Sequence, residues 1–76
     1  MATYQIKFYG NAGIIPLEIE KTYTNDVWAL KDVERTLGHY YPVYYKAGIW
    51  KLEEDGNSKL LGYYNAKIEI VREEIK

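Results

Sequence analysis

The chain has 76 residues, ten basic against eleven acidic side chains for a net charge of -1, and a composition 47% hydrophobic and 28% charged. Such a length suits one small domain over residues 1–76, and the apolar fraction excludes the highly charged disordered class. The near-neutral balance excludes a strong global field for nucleic acid or an anionic membrane, though not a local patch.

The first segment alternates as a half-buried strand does, with Tyr4, Ile6 and Phe8 on one face and Thr3, Gln5, Lys7 and Tyr9 on the other. Gly10-Asn11-Ala12-Gly13 reads as a turn, and Ile15, Leu17 and Ile19 then alternate against Pro16, Glu18 and Glu20. The expected register sets Phe8 opposite Ile15, Ile6 opposite Leu17 and Tyr4 opposite Ile19, closing a loop of about four residues. Pro16 has no backbone donor, so this second strand is expected at a sheet edge or to begin there.

Thr24-Asn25-Asp26 carries a helix-start signal, a capping side chain followed by an acidic residue at the positive end of the dipole. The helix is expected from about Asp26 to Leu37 with Gly38 as its stop, burying a stripe centred on Leu30 and Leu37 and flanked by Val27 and Val33. Trp28 falls almost opposite that stripe, either exposed or folded over the preceding loop.

Past His39, the run Tyr40-Tyr41-Pro42-Val43-Tyr44-Tyr45 leads into a long hairpin. Its last strand puts Leu60, Tyr64, Ala66, Ile68 and Ile70 on one face, with Gly62 as a gap. Pairing Leu52 with Leu60 turns Trp50 and Leu52 toward the same core, sets Trp50 over Gly62 and Tyr64 over Gly48, and implies a turn of about three residues at Asp55-Gly56-Asn57. In that phase Lys46 points inward, so a bulge or break is expected near Lys46-Ala47-Gly48. The expected fold class is α+β in ββαββ order, an antiparallel sheet with one helix packed on one face. A helix of that length shields only two or three strands spaced ~4.8 Å apart, which leaves the outer sheet face uncovered.

Catalytic chemistry finds little support. Ser58 and His39 are the only serine and histidine, and no feature of the sequence brings them together. Glu53-Glu54-Asp55-Gly56-Asn57 lacks the ligand spacing of a calcium loop and reads as a solvated turn. Glu18 and Glu20 lie beside Lys7 and Lys21 as ordinary cross-strand charges, and the glycines of residues 10–13 join two strands where a phosphate loop joins a strand to a helix. No metal and no cofactor is expected. There is no cysteine, which excludes disulfides and thiolate sites and suits the cytoplasm. No apolar run approaches the ~20 residues of a membrane span, and no signal-peptide core is expected.

The aromatic residues carry the functional expectation, because tyrosine makes up 9 of the 76 residues. Filling the core leaves three features: Trp28, the junction of Tyr40, Tyr41, Tyr44 and Tyr45, and an outer-face cluster of Ile49, Leu61 and Tyr63 flanked by Lys51 and Lys67. Each has a plain structural explanation in β propensity or loop packing. Tyrosine and tryptophan also supply stiff contact area with a polar tip, as at protein interfaces. The expected function is a small non-catalytic module that binds another protein, or a second copy of itself, by occlusion or bridging. Its format resembles that of inhibitors and adaptors carried by phages or mobile elements, an association by size alone. The alternative is a sheet that stacks single-stranded nucleic acid on Tyr45 and Tyr63 beside Lys46, Lys51 and Lys67. Net acidity and a total of only two arginines, Arg35 and Arg72, weigh against it.

Overall fold

A computed structural model of the chain describes residues 1–66. Two strands, β1 (Ala2–Gly10) and β2 (Leu17–Tyr23), precede the helix α1 (Asp26–Tyr40), and two more follow it, β3 (Tyr44–Leu52) and β4 (Ser58–Asn65). They form a four-stranded antiparallel sheet in the order β2-β1-β3-β4, with β2 and β4 at its edges. The helix lies across one face, so the α+β class and the ββαββ order stand as expected. Ile68 and Ile70, assigned above to the last strand's inner face, lie outside the described residues.

The first strand behaves as its alternation requires: Tyr4, Ile6 and Phe8 are buried beneath the helix. The first hairpin keeps that parity and slips by two residues, pairing Phe8 with Leu17, Ile6 with Ile19 and Tyr4 with Lys21. The slip follows from a longer loop over residues 11–16, where Ile14 N–H donates to the Asn11 carbonyl and Gly13 sits at φ 93°. Ile15, expected opposite Phe8, is therefore in the loop and 82% exposed. Pro16 directly precedes β2, which is indeed an edge strand.

Asn25 caps α1, its side-chain oxygen accepting from Trp28 N–H. The helix does not stop at Gly38. It continues to Tyr40, because Tyr41 N–H still bonds the Leu37 carbonyl, and Pro42, lacking a donor, ends it. The Tyr41–Pro42 peptide is cis. The buried stripe is also rotated from its expected position: Ala29, Val33 and Leu37 are buried, Leu30 is half-buried, and Val27 faces solvent. Two polar anchors hold this rotation. Asp26 accepts from the Tyr4 hydroxyl at 2.5 Å and pairs with Lys51 at 3.2 Å, while Asp32 accepts from the Tyr23 hydroxyl and pairs with Lys21 at 3.3 Å and Arg35 at 2.7 Å. At ~100° per residue, Ala29 lies midway between the two carboxylates around the helix, so their grip turns its small side chain onto the sheet.

The second hairpin departs most from expectation. Its turn does have three residues, 54–56, shifted by one from the expected 55–57, with Glu53 N–H donating to the Asn57 carbonyl and Gly56 at φ 89°. That closure pairs Leu52 with Ser58 and Trp50 with Leu60. A bulge between Ile49 and Trp50 leaves Leu61 as the extra residue, after which Ile49 faces Gly62, Gly48 faces Tyr63 and Ala47 faces Tyr64. A second irregularity lies where Tyr9 meets Lys46 and Gly10 meets Tyr44. The breaks thus flank the Lys46–Gly48 stretch where one was expected.

Candidate functional site

The face of β3 is decided by β1, its central neighbour. Ile6 lies opposite Ile49 and Phe8 opposite Ala47, so Ala47, Ile49 and Lys51 point toward the helix. Ile49 is 0% exposed in the core, and Leu61 is half-buried and packed against that core. Both were expected on the outer face, and both are corrected by this pairing. Conversely Trp50, Leu52 and Leu60, expected inside, belong to the outer side. Ala47 and Ile49 pack there in one buried cluster with Ala29, Val33 and Leu37 of the helix.

Gly48 is the centre of the outer face. The Trp50 and Tyr63 rings pack edge to face, with centroids 5.9 Å apart at 80°. Both rings cover Gly48: a Cβ there would lie 2.7 Å from Trp50 Cη2 and 2.9 Å from Tyr63 Cε1. Aromatic cover of a sheet glycine is thus present, with partners other than the expected Trp50–Gly62 and Tyr64–Gly48 pairs. Tyr63 is 58% exposed and Leu60 is exposed beside it. Across the sheet the same face runs through Lys7 and Gln5 of β1 to Glu18 and Glu20 of β2, with Lys7 Nζ 5.7 Å from the Tyr9 ring centroid. One half of this surface is aromatic and the other acidic.

The junction tyrosines divide between roles. Tyr40 and Tyr44 pack edge to face at 5.7 Å, and both rings meet Phe8, at 5.2 and 6.3 Å. They close the open end of the core, and Tyr44 also ties down the first loop by donating to the Ile15 carbonyl at 2.8 Å. Tyr41 is half-buried at the helix end. Tyr45 lines one outer-face groove with Tyr9, Lys46 and Tyr63. Trp28 is exposed on the opposite flank of the molecule, with Lys31 Nζ 5.9 Å from its ring centroid.

The residues of the nucleic-acid alternative are not brought together as a set. Tyr45, Lys46 and Tyr63 share the outer face, whereas Lys51 lies on the helix side in its ion pair with Asp26, and Lys67 lies outside the described residues.

A scan against protein-family models, a search of curated proteins and a search of solved structures each find no match. Function is therefore read from this chain's own residues. No helix among the described residues is long and apolar enough to cross a membrane.

Among the described residues, perturbed titration falls at the two helix anchors and the hairpin turn. Burial, then the bond to Asp26, pushes the Tyr4 hydroxyl up to about 12. Burial and the bond to Asp32 likewise raise Tyr23. The Tyr23 hydroxyl, followed by Arg35, holds Asp32 down at about 2. Asp26 is lowered first by Tyr4 and then by Lys51. Both carboxylates are held in their charged form by these donors, which suits their role as anchors of the helix. Sequence reasoning missed Trp50 as an outer-face residue. The signal was its two-residue spacing from Gly48, which puts both on one face once β1 fixes the parity of β3.

Proposed function

We propose that the chain is a small non-catalytic binding module that engages a partner protein through the outer sheet face, centred on Trp50 and Tyr63. The observation that carries this reading is the aromatic pair seated on Gly48 with no element of the described fold above it. The helix covers the other face only. Stiff aromatic area flanked by charge is the composition of an interface centre and its rim. Tyr45, Lys46 and Leu60 extend the contact surface, while Ile49 and Leu61 belong to the core and are removed from it. The module acts by occluding or bridging its partner, in the manner of a small inhibitor or adaptor. The absence of cysteine supports a cytoplasmic setting.

The test replaces Tyr63 and Trp50 with serine together and compares capture of proteins from the native host with the parent chain, folding being checked by circular dichroism. A specific protein captured by the parent and lost by the folded double variant supports the outer face. Sedimentation of the parent alone detects self-association through the same residues. Titration with a mixed single-stranded oligonucleotide at low and moderate salt provides the counter-test: saturable, salt-sensitive binding would favour the stacking alternative.

A further inference from the structure

Among the described residues the edge strand β2 pairs with β1 alone, and its two flanks carry opposite charge. Toward the helix, Lys21 is half exposed, and a trough between β2 and α1 is lined by Trp28, Lys31, Arg35 and Asp32. Three cations there meet one carboxylate, since Asp32 is shared by Lys21 and Arg35 and lies within the trough. On the opposite flank of the same strand, Glu18 and Glu20 are exposed; Glu18 lies across from Lys7 and Glu20 from the neutral Gln5, so two carboxylates meet one cation. We infer that the β2 edge accepts an added strand, an extended peptide whose side chains alternate acidic toward the helix and basic toward the outer face.

Successive side chains of a strand point to opposite faces, so a peptide lying along the 7 residues of β2 presents every second side chain to each flank. The free edge supplies main-chain donors and acceptors, and the flanks select the side chains. Carboxylates on the helix side meet Lys21, Lys31 and Arg35, and an apolar side chain among them lies against the exposed Trp28 indole. Cations on the other side meet Glu18 and Glu20. A second copy is a poor occupant. Continuing the sheet by a two-fold antiparallel pairing of β2 with itself would put glutamates beside glutamates on the outer face, and like charges across a ladder destabilise. This inference goes beyond the outer-face reading and needs neither Trp50 nor Tyr63, so the two can fail separately.

Fluorescence anisotropy of labelled peptides tests it on the intact chain. The probes are a peptide of alternating glutamate and arginine, one of the same composition arranged in two charge blocks, and the alternating peptide N-methylated at every second residue. The alternating peptide is expected to bind at least roughly tenfold more tightly than either control, because several cross-strand pairs are formed or reversed together. E18K/E20K is expected to weaken the alternating peptide and to strengthen an all-glutamate peptide, whereas Tyr63→Ser leaves both unchanged. Equal binding of the block peptide, or indifference to N-methylation, would overturn strand addition in favour of diffuse charge attraction. No binding of any probe would overturn it too, leaving the charges as a guard against edge pairing. Self-association of the parent strengthened by E18Q/E20Q would assign the edge to a second copy.

Discussion

The hydroxyl of Tyr4, a fully buried side chain of β1, donates to Asp26 Oδ1 at 2.5 Å in the first turn of α1. Lys51 of β3 reaches the same carboxylate oxygen at 3.2 Å. One helix residue is thereby tied to the two central strands. The matching contact at the other flank, Tyr23 to Asp32, ties the helix to the edge strand β2. Together they set how the helix is turned on the sheet.

Removing the first tie tests its weight. Tyr4→Phe keeps the ring and deletes the donor, and a hydrogen bond to a charged group contributes about 1.5–3 kcal/mol. Asp26 retains Lys51, so a loss near the lower end is expected, read as a fall in the urea midpoint with unchanged slope.

Titration should report both ties, at opposite ends of the pH scale. Asp32 is lowered from 3.8 to about 2 in the folded chain, so its stabilisation is present above about pH 4 and is lost as pH falls toward 2. Tyr4 is raised from 10.0 to about 12, so its contribution is complete below pH 10 and is lost as pH rises toward 12. Thermal melts across both ranges are the measurement. Asp32→Asn should flatten the acid limb and, by taking the charge from beside Tyr23, also weaken the alkaline one, whereas Tyr4→Phe should reduce the alkaline limb.

The outer aromatic pair depends on a missing side chain. A Cβ at Gly48 would stand 2.7 Å from the Trp50 ring, so Gly48→Ala must lift the indole off the sheet. The expected outcome is a red-shifted Trp50 emission, followed in a Trp28→Phe background, with a stability loss of about 1 kcal/mol typical of mild overpacking. An unchanged spectrum would mean that the ring does not rest on Gly48.

Ile49 and Tyr63, one buried and one mostly exposed, offer a direct check of which face is which. Ile49→Ala should cost about 2–4 kcal/mol in denaturant unfolding, as truncation in a packed core does. Tyr63→Ser should stay within about 1 kcal/mol, since it removes surface contact with Trp50 and little else. Similar losses for the two variants would contradict the pairing of Ile6 with Ile49.

Local chemistry was readable wherever one segment could be judged alone. The alternation Tyr4, Ile6, Phe8, the Asn25 cap, the edge position of β2 announced by Pro16 and the exposure of Tyr63 all follow from periodicity or from the absence of a donor. Readings failed where a distant neighbour decides. Trp50 and Leu52 look like core residues beside β4, yet β3 takes its orientation from β1, which lies 43 residues earlier at the Ile6–Ile49 pair and is adjacent only after folding. The bulge at Leu61 then reconciles the two strands, and no residue there announces it. Val27 appeared to flank the buried stripe because apolar character alone cannot register the pull of Asp26 and Asp32 on Tyr4 and Tyr23.

The element order, the inner face of the first strand, the helix start and an outer sheet face left uncovered by the helix could all be read from the amino-acid sequence. These are properties of short windows, in which backbone propensity and side-chain period act within a few residues. The strand order, the rotation of the helix, and the exchange of Ile49 for Trp50 between core and surface emerge only when the elements pack together. Each of those is a choice between faces of similar apolar content. Such a choice is settled by volume and hydrogen-bond partners that meet only when β1, β3 and α1 close on one another.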